Sequence, residues 1–260
     1  FVRHLTSGRW RAAAEQVDLR FVVALLTGIA VGIGGLASLM NHLLTHHLSL
    51  TFAAFTGMIL ASSLLVSHRI AKWRLEHTGL LILGAVFAIR IVTLPALQNP
   101  PHTLWYLFFC GVIGIIAMIL PGISGAFILL LLGRYHFITD YIKGLVHGEF
   151  SVEAISSLVV FGLGCICGLL SFSRVLKWLL NRFHDGTMAV LCGFMLGSVY
   201  KLWPFQRDLT PDEVELKYKL FENYMPQAID AHVWSVSALV ILGAAIVLTL
   251  EIVAGKMEAE

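Results

Sequence analysis

Long apolar runs recur along almost the whole chain, and their length restricts the possible folds more than any other feature of the sequence. They cover residues 21–39, 48–66, 79–97, 104–132, 155–170, 187–202 and 233–253. Most approach the roughly 20 residues that a helix needs to cross about 30 Å of hydrocarbon. Only 13% of the 260 residues are charged, against roughly 25% in soluble domains. Because the runs are unbroken rather than alternating, we expect an all-α integral membrane protein and not a barrel.

The chain also repeats itself at an offset of 136 residues. Residues 28–62 align without gaps on residues 164–198, and nine of the 35 positions are identical. Five of the nine are Gly, Ser or Thr, and each copy contains a G-x-x-x-G. Small residues at this spacing let transmembrane helices approach closely. The alignment therefore predicts two structural repeats, residues 1–102 and 103–260.

Charged residues between the apolar runs indicate how the two repeats are oriented. Basic residues concentrate before residue 21 and in the segments 67–77 and 171–186, which places these segments on the cytoplasmic face. The connector 203–232 is acidic and is assigned to the outer face, and the 40–50 loop then lies outside as well. The equivalent segments 40–50 and 171–186 are thus on opposite faces. We therefore expect inverted repeats with about six full spans.

The number of crossings leaves residues 104–145 to enter and leave the membrane on the same face. This segment contains "AMILPGISGAFILLLLGRY", residues 117–135, with a helix-breaking Pro-Gly-Ile-Ser-Gly in the middle. We therefore predict a re-entrant helical hairpin over 104–145 with its tip near 121–125. Shifted by 136 residues, the repeat predicts a second such motif upstream of Phe1.

The composition of the tip suits an anion. Pro121 lacks an N–H, and Gly122 and Gly125 permit unusual backbone angles and close approach. We expect a helix to begin between Ser124 and Phe127, with free N–H groups and a positive dipole end that attract anions. Inverted-repeat transporters bind substrates at such broken helices. The alternative is a proline kink that packs against a neighbouring helix.

Two arginines are further candidates, each with an alternative structural role. Arg90 lies inside an apolar run, where it either supplies a positive charge to a phosphate or extends to the interface. Arg134 follows the hairpin arm, where it either contacts the substrate or anchors the helix at the interface. The predicted substrate-binding residues are therefore Pro121, Gly122, Ser124, Gly125, Ala126, Arg90 and Arg134.

Signatures of enzymes and of metal sites are missing from the sequence. It has no H-E-x-x-H, G-x-S-x-G or P-loop pattern. His42, His46 and His47 have no carboxylate nearby in the sequence and are assigned to a solvated loop. We therefore expect no catalysis, no cofactor, no metal and no nucleic-acid partner, while the oligomeric state and any coupling ion stay open.

The 117–135 stretch resembles the second signature of the PopT-type polyprenyl-phosphate transporter family of bacterial inner membranes, long known only as a domain of unknown function. The signature is Ala-Met-x-x-Pro-Gly-x-Ser-Gly-Ser-Phe followed by a Leu-rich run, Gly and Tyr. The matching residues are Ala117, Met118, Pro121, Gly122, Ser124, Gly125, Phe127, Gly133 and Tyr135. Ala126 replaces the usual second Ser. The family's first signature, an Asp followed by Pro-Gly-Val-Ser-Gly-Gly-Thr, does not occur in this chain.

The resemblance implies a multi-pass protein of the bacterial cytoplasmic membrane that returns undecaprenyl phosphate to the inner leaflet for cell-wall synthesis. Its substrate and partner is then the lipid itself. The residues alone indicate only an inverted-repeat transporter with an anion site. Two alternatives therefore remain: transport of another lipidic or small anion, and a membrane enzyme that acts on a phosphorylated lipid.

Overall fold

The computed structural model describes residues 19–148, 150–210, 221–228 and 230–257, which form nine helices and one pair of short strands. The basic segment 1–18 and the acidic residues Asp212, Glu213 and Glu215 lie outside the described residues. The helices are α1 (Leu19–His46), α2 (Leu48–Ser67), α3 (Leu75–Val92), α4 (Leu104–Ile119), α5 (Gly125–Leu131), α6 (Tyr135–Val146), α7 (Val152–Arg182), α8 (His184–Ser198) and α9 (Ala231–Met257). The strands are β1 (Gln206–Asp208) and β2 (Phe221–Asn223).

Within this described part, four helices are long and apolar enough to cross a membrane, namely α2, α3, α7 and α9. Their outer faces expose large apolar side chains such as Leu64, Val86, Val159 and Ile241. Water would make such continuous apolar faces unfavourable, whereas lipid tails solvate them. The chain is therefore an all-α membrane protein, as predicted, with one small two-stranded element that the sequence did not suggest.

Glycines let two helix pairs pack at close range. A side chain on Gly193 of α8 would overlap the carbonyl oxygen of Leu81 in α3, and one on Gly57 of α2 would overlap that of Val240 in α9. Gly57 and Gly193 are counterparts at the 136-residue offset. Helix α8 thus packs against α3, and helix α2 packs against α9. Only a residue without a side chain fits such a crossing.

Helix ends also follow the 136-residue offset. His46 ends α1 and Arg182 ends α7, and a single residue then separates each of these helices from the next one. The two separating residues, His47 and Phe183, have nearly the same conformation, with φ −134° and ψ 43° in the first and φ −133° and ψ 51° in the second. The sequence repeat is therefore also a repeat of local structure.

The loop predicted over residues 171–186 is wrong in its extent. Residues 171–182 continue α7, and the helix ends only before Phe183. The basic residues Arg174 and Lys177 are exposed on this extension. A charged side chain reaches water from a helix as readily as from a loop, so these charges indicate where the membrane surface lies and not where the helix ends.

The short strands hold part of the acidic connector against the end of α8. Gln206 of β1 lies opposite Asn223 of β2, and its Nε2 donates a hydrogen bond to Asn223 Oδ1 at 3.0 Å. The same Gln206 nitrogen donates to the carbonyl of Lys201 at 3.0 Å, and Asn223 Nδ2 donates to the carbonyl of Tyr200 at 2.7 Å. The connector thereby fixes the backbone that follows α8.

Candidate functional site

The chain reverses direction at the predicted helix break. After α4 ends at Ile119, Gly122 adopts a positive φ of +85°, and α5 begins at Gly125. Ser124 is the N-cap of α5, and its hydroxyl oxygen accepts a hydrogen bond from the Phe127 amide at 3.4 Å. The helix start predicted between Ser124 and Phe127 is confirmed. Because α5 has only seven residues, its dipole is weaker than that of a full membrane span.

Close packing holds the tip in place on both sides. A Cβ on Gly125 would lie 2.6 Å from the carbonyl oxygen of Gly114, so α4 and α5 are in direct contact. A Cβ on Gly122 would lie 2.7 Å from the carbonyl oxygen of Phe194 and 2.9 Å from the Cα of Met195. The tip is therefore seated on the backbone of α8.

Apolar side chains from α3, α4, the tip, α5 and α8 surround this contact. The buried cluster consists of Ala88, Ala117, Ile123, Ile128 and Phe194. Within a membrane, van der Waals packing of these side chains stabilises the arrangement, because lipid tails are as apolar as the side chains themselves. The cluster therefore places apolar side chains between the tip and α8.

Two cavities border the hairpin. The first, which we call the Lys201 cavity, has a volume of about 940 Å³ and is lined by the end of α3, by Phe127 and Leu131 of α5, and by residues from the described segments 200–209 and 221–223. The second, which we call the Arg182 cavity, has a volume of about 800 Å³. It is lined by the start of α3, by Leu120 before the tip, by the C-terminal part of α7 and by the start of α8. The hairpin thus contributes to both cavities.

The two cavities lie at opposite ends of the α3–α8 pair. These helices run in the same direction, because Gly186 contacts Leu80 near their starts and Gly197 contacts Ala88 near their ends. The Arg182 cavity is lined at the starts and the Lys201 cavity at the ends. The tip and its apolar cluster therefore lie between two cavities at opposite ends of the helix pair.

Lys201 is the one lysine or arginine among the described residues that line the first cavity. Its Nζ lies 5.7 Å from the ring centroid of Phe127, the residue whose amide Ser124 caps. Desolvation by the surrounding protein lowers its pKa below that of an ordinary lysine. The sequence analysis did not identify Lys201, because nothing in "GSVYKLWPF" shows that the connector folds back around it.

Arg134 is buried, with only 2% of its surface exposed. Its Nη2 donates hydrogen bonds to the carbonyls of Pro100, at 3.1 Å, and Pro101, and its Nη1 lies 3.4 Å from His102 Nδ1. The guanidinium carbon also lies 4.9 Å from the ring centroid of Phe137. These contacts tie the loop after α3 to the start of α6.

The other predicted site residues differ in their surroundings. Ser124 and Ala126 are exposed at the tip, whereas Gly125 is buried against α4. Arg90 is exposed near the end of α3, and its side chain makes no hydrogen bond or ion pair with the described residues. In the same part of the chain, no three His, Cys, Asp or Glu side chains come together as a metal site.

Comparison with known proteins places this chain in a family. A polyprenyl-phosphate transporter of Vibrio cholerae is 39% identical over 196 residues, which cover 75% of this chain and 61% of the relative. A polyprenyl-phosphate transporter of Staphylococcus aureus is 27% identical over 195 residues, which cover 71% of this chain and 68% of the relative. No solved structure matches. The chain thus spans less than two thirds of the length of the Vibrio relative.

The family match extends over most of the chain. The family model described as undecaprenyl phosphate translocase-like matches residues 1–215. This range includes the whole broken-helix motif, α8 and Lys201. The resemblance noted for residues 117–135 is therefore confirmed: the chain belongs to the undecaprenyl phosphate translocase-like family.

Proposed function

We propose that this chain forms the transport path of a polyprenyl-phosphate transporter that moves undecaprenyl phosphate across the bacterial cytoplasmic membrane. The observation that carries the proposal is the hairpin tip, which lies between two cavities at opposite ends of α3 and α8. A transporter needs a substrate site that opens alternately to two sides. The relatives named above are polyprenyl-phosphate transporters, which supports a lipid phosphate as the substrate.

The architecture we propose is a pair of inverted repeats, residues 1–102 and 103–260. Helices α1, α2, α3, α7, α8 and α9 supply six spans, and residues 104–145 supply a re-entrant hairpin. Two contacts support the inversion, because they make α2 antiparallel to α8: Cys192 Sγ lies 3.5 Å from the carbonyl oxygen of Ser63, and Thr56 donates a hydrogen bond to the carbonyl of Leu202 at 3.0 Å. Counterpart helices that run in opposite directions are expected of inverted repeats.

The α4–α7 contact suggests how the hairpin predicted for the first repeat would pack. A side chain on Gly164 of α7 would overlap the carbonyl oxygen of Phe108 in α4, and Gly168 approaches the backbone of the same helix. Their counterparts on α1, Gly28 and Gly32, have no such neighbour within 4 Å in the described part of the chain. We propose that this face of α1 receives the equivalent hairpin arm.

In the proposed mechanism, the lipid phosphate contacts the tip while the polyprenyl tail stays in the bilayer. The Ser124 hydroxyl already accepts a bond from the Phe127 amide, so its O–H remains to donate to the phosphate. The first amides of α5, at Gly125 and Ala126, have no intrahelical acceptor and also point toward an anion at the tip. Movement of one repeat against the other would open the apolar cluster and change the cavity to which the tip has access.

The two arginines have different roles in this mechanism. Arg134 holds the loop that follows α3 and so fixes the outer end of the hairpin, without direct contact to the phosphate. The exposure of Arg90 favours the interfacial alternative for this residue.

Transport assays on the chain reconstituted in liposomes test the proposal. Ser124→Ala should slow the movement of undecaprenyl phosphate, and Gly125→Leu should abolish it, because its Cβ would meet the Gly114 carbonyl 2.6 Å away. Ser173→Ala and Gly162→Leu are matched controls, since Ser173 is exposed on α7 and Gly162 has open space around it. These controls should transport at the rate of the unmodified protein.

The same assay distinguishes the competing functions. If the unmodified protein moves a small anion but not the lipid, the proposed substrate is wrong. If the lipid is recovered chemically altered, the protein is an enzyme and not a transporter. Equal transport by Ser124→Ala, Gly125→Leu and the two controls would remove the hairpin tip from the mechanism.

A further inference from the structure

We propose that Lys201 is the cation that binds the phosphate group of the substrate in the Lys201 cavity, before this group reaches the hairpin tip. The inference rests on the proposed function and deepens it, since it assigns the charged contact that the uncharged Pro-Gly-Ile-Ser-Gly tip lacks. It is based on the position of Lys201 in the cavity, on its lack of an anionic partner and on its distance from α5.

Position is the first argument. The cavity of about 940 Å³ is large enough for a phosphate head group with part of its chain, and Lys201 is exposed to it. The carbonyl of Lys201 accepts a hydrogen bond from Gln206, and the carbonyl of the preceding Tyr200 accepts one from Asn223. The strand pair thereby fixes the backbone at Lys201, so its ammonium group is presented to the cavity from a rigid base.

Charge is the second argument. Lys201 forms no ion pair within the described part of the chain, so its ammonium group is available to a ligand. Glu222 lines the same cavity, but no ion pair joins it to Lys201 in the described part of the chain. A phosphate monoester carries about −1.5 to −2 charges at pH 7, which suits a partly desolvated lysine that acts as a compact point charge.

Proximity to the tip is the third argument. The ammonium nitrogen lies 5.7 Å from the ring of Phe127, and the Phe127 amide is capped by Ser124. The ammonium group and the tip hydroxyl thus both lie next to Phe127, the first at its ring and the second at its amide. Phe127 therefore connects the cavity that contains Lys201 with the tip that contains Ser124.

Binding measurements in nanodiscs test the assignment, with farnesyl phosphate, farnesol and inorganic phosphate as probes. Lys201→Met should weaken farnesyl phosphate binding by about tenfold or more, as expected for the loss of one charge-assisted hydrogen bond. Lys201→Arg should restore most of the affinity because it keeps the charge. Lys177→Met is the matched control, since Lys177 is exposed on α7, and it should bind normally.

A pH profile distinguishes a direct contact from a structural role. Because desolvation lowers its pKa, Lys201 should lose its charge, and with it the ligand, at a lower pH than an ordinary lysine would. The other titratable side chains that line the cavity are Glu222, His136, Tyr135 and Tyr200. Lys201→Arg leaves all four of these side chains unchanged. If binding falls at alkaline pH in the unmodified protein but not in Lys201→Arg, the fall is due to deprotonation of Lys201.

The outcomes separate this inference from the proposed function. If Lys201→Met binds farnesyl phosphate like the unmodified protein while lipid transport is intact, the inference is wrong and the function stands. If inorganic phosphate binds at Lys201 and lipid transport is absent, the phosphate site stands and the proposed function fails. Binding of farnesol as tight as that of farnesyl phosphate would overturn the inference, because it would show that the phosphate is not recognised.

Discussion

Replacement of Gly122 by alanine tests whether the hairpin tip packs against α8 as closely as the proposed mechanism requires. Gly122 has φ +85°, a conformation that costs an L-residue roughly 1–2 kcal/mol. The added Cβ would also lie 2.7 Å from the carbonyl oxygen of Phe194 and 2.9 Å from the Cα of Met195. Such overpacking typically costs about 1–3 kcal/mol. The two terms together predict a loss of about 2–5 kcal/mol in the free energy of unfolding.

Gly148 is a matched control for this experiment. Its φ is +86°, but a Cβ there would meet no atom within 4 Å. Gly148→Ala should therefore cost only the conformational term of roughly 1–2 kcal/mol. The difference between the two variants isolates the contact between the tip and α8.

Thermal unfolding in detergent, together with lipid transport in liposomes, would measure both consequences. A loss of 2–5 kcal/mol corresponds to a decrease in Tm of about 4–20 °C for a chain of this size. Gly122→Ala should also transport more slowly than Gly148→Ala, because the tip no longer fits against α8. Equal Tm values and equal rates in the two variants would refute a tightly seated tip.

Two further predictions test the loop anchor and the inverted topology. Arg134→Lys should lower the free energy of unfolding by about 1.5–3 kcal/mol, because an ammonium group cannot reproduce the fork that binds the loop carbonyls, while Arg90→Lys at an exposed site should change Tm little. Cysteines introduced at Thr45 and Asn181, which are equivalent in the repeat and exposed, should react with membrane-impermeant reagents from opposite faces. Equal losses in the two lysine variants would contradict the anchor, and labelling from one face would contradict the inversion.

The sequence predicted the local features of the fold well because they depend on local chemistry. Pro121 and Gly122 prevent a helix from continuing, and the chain breaks there as expected. The repeat was detectable because its glycines are needed at helix crossings, where Gly57 and Gly193 each face a backbone carbonyl. The lengths of the helices were less predictable. Charged residues such as Lys177 indicate the membrane surface, but α7 continues past this residue to Arg182.

The electrostatics of the site was much harder to predict, because it depends on contacts between distant segments. Arg134 donates hydrogen bonds to the carbonyls of Pro100 and Pro101, more than 30 residues away along the chain. Lys201 becomes part of a cavity only because the strand pair folds back and Phe127 approaches from the hairpin. No spacing rule in the sequence connects these residues, so periodicity and composition could not identify them.

In the proposed mechanism, the position of Lys201 beside the tip, rather than in it, affects the rate of transport. A permanent cation at the tip would pair strongly with a phosphate in a dry, low-dielectric site, and release would then be slow. Ser124 and the first amides of the short helix α5 provide a weaker contact that contains no full charge. In the proposed mechanism, Lys201 attracts the phosphate from the cavity, and the tip holds it only briefly while the apolar cluster around Ile123 and Phe194 opens. Strong attraction at the entrance, followed by weak binding at the barrier, suits the proposed transport, in which the substrate must be released on the other side.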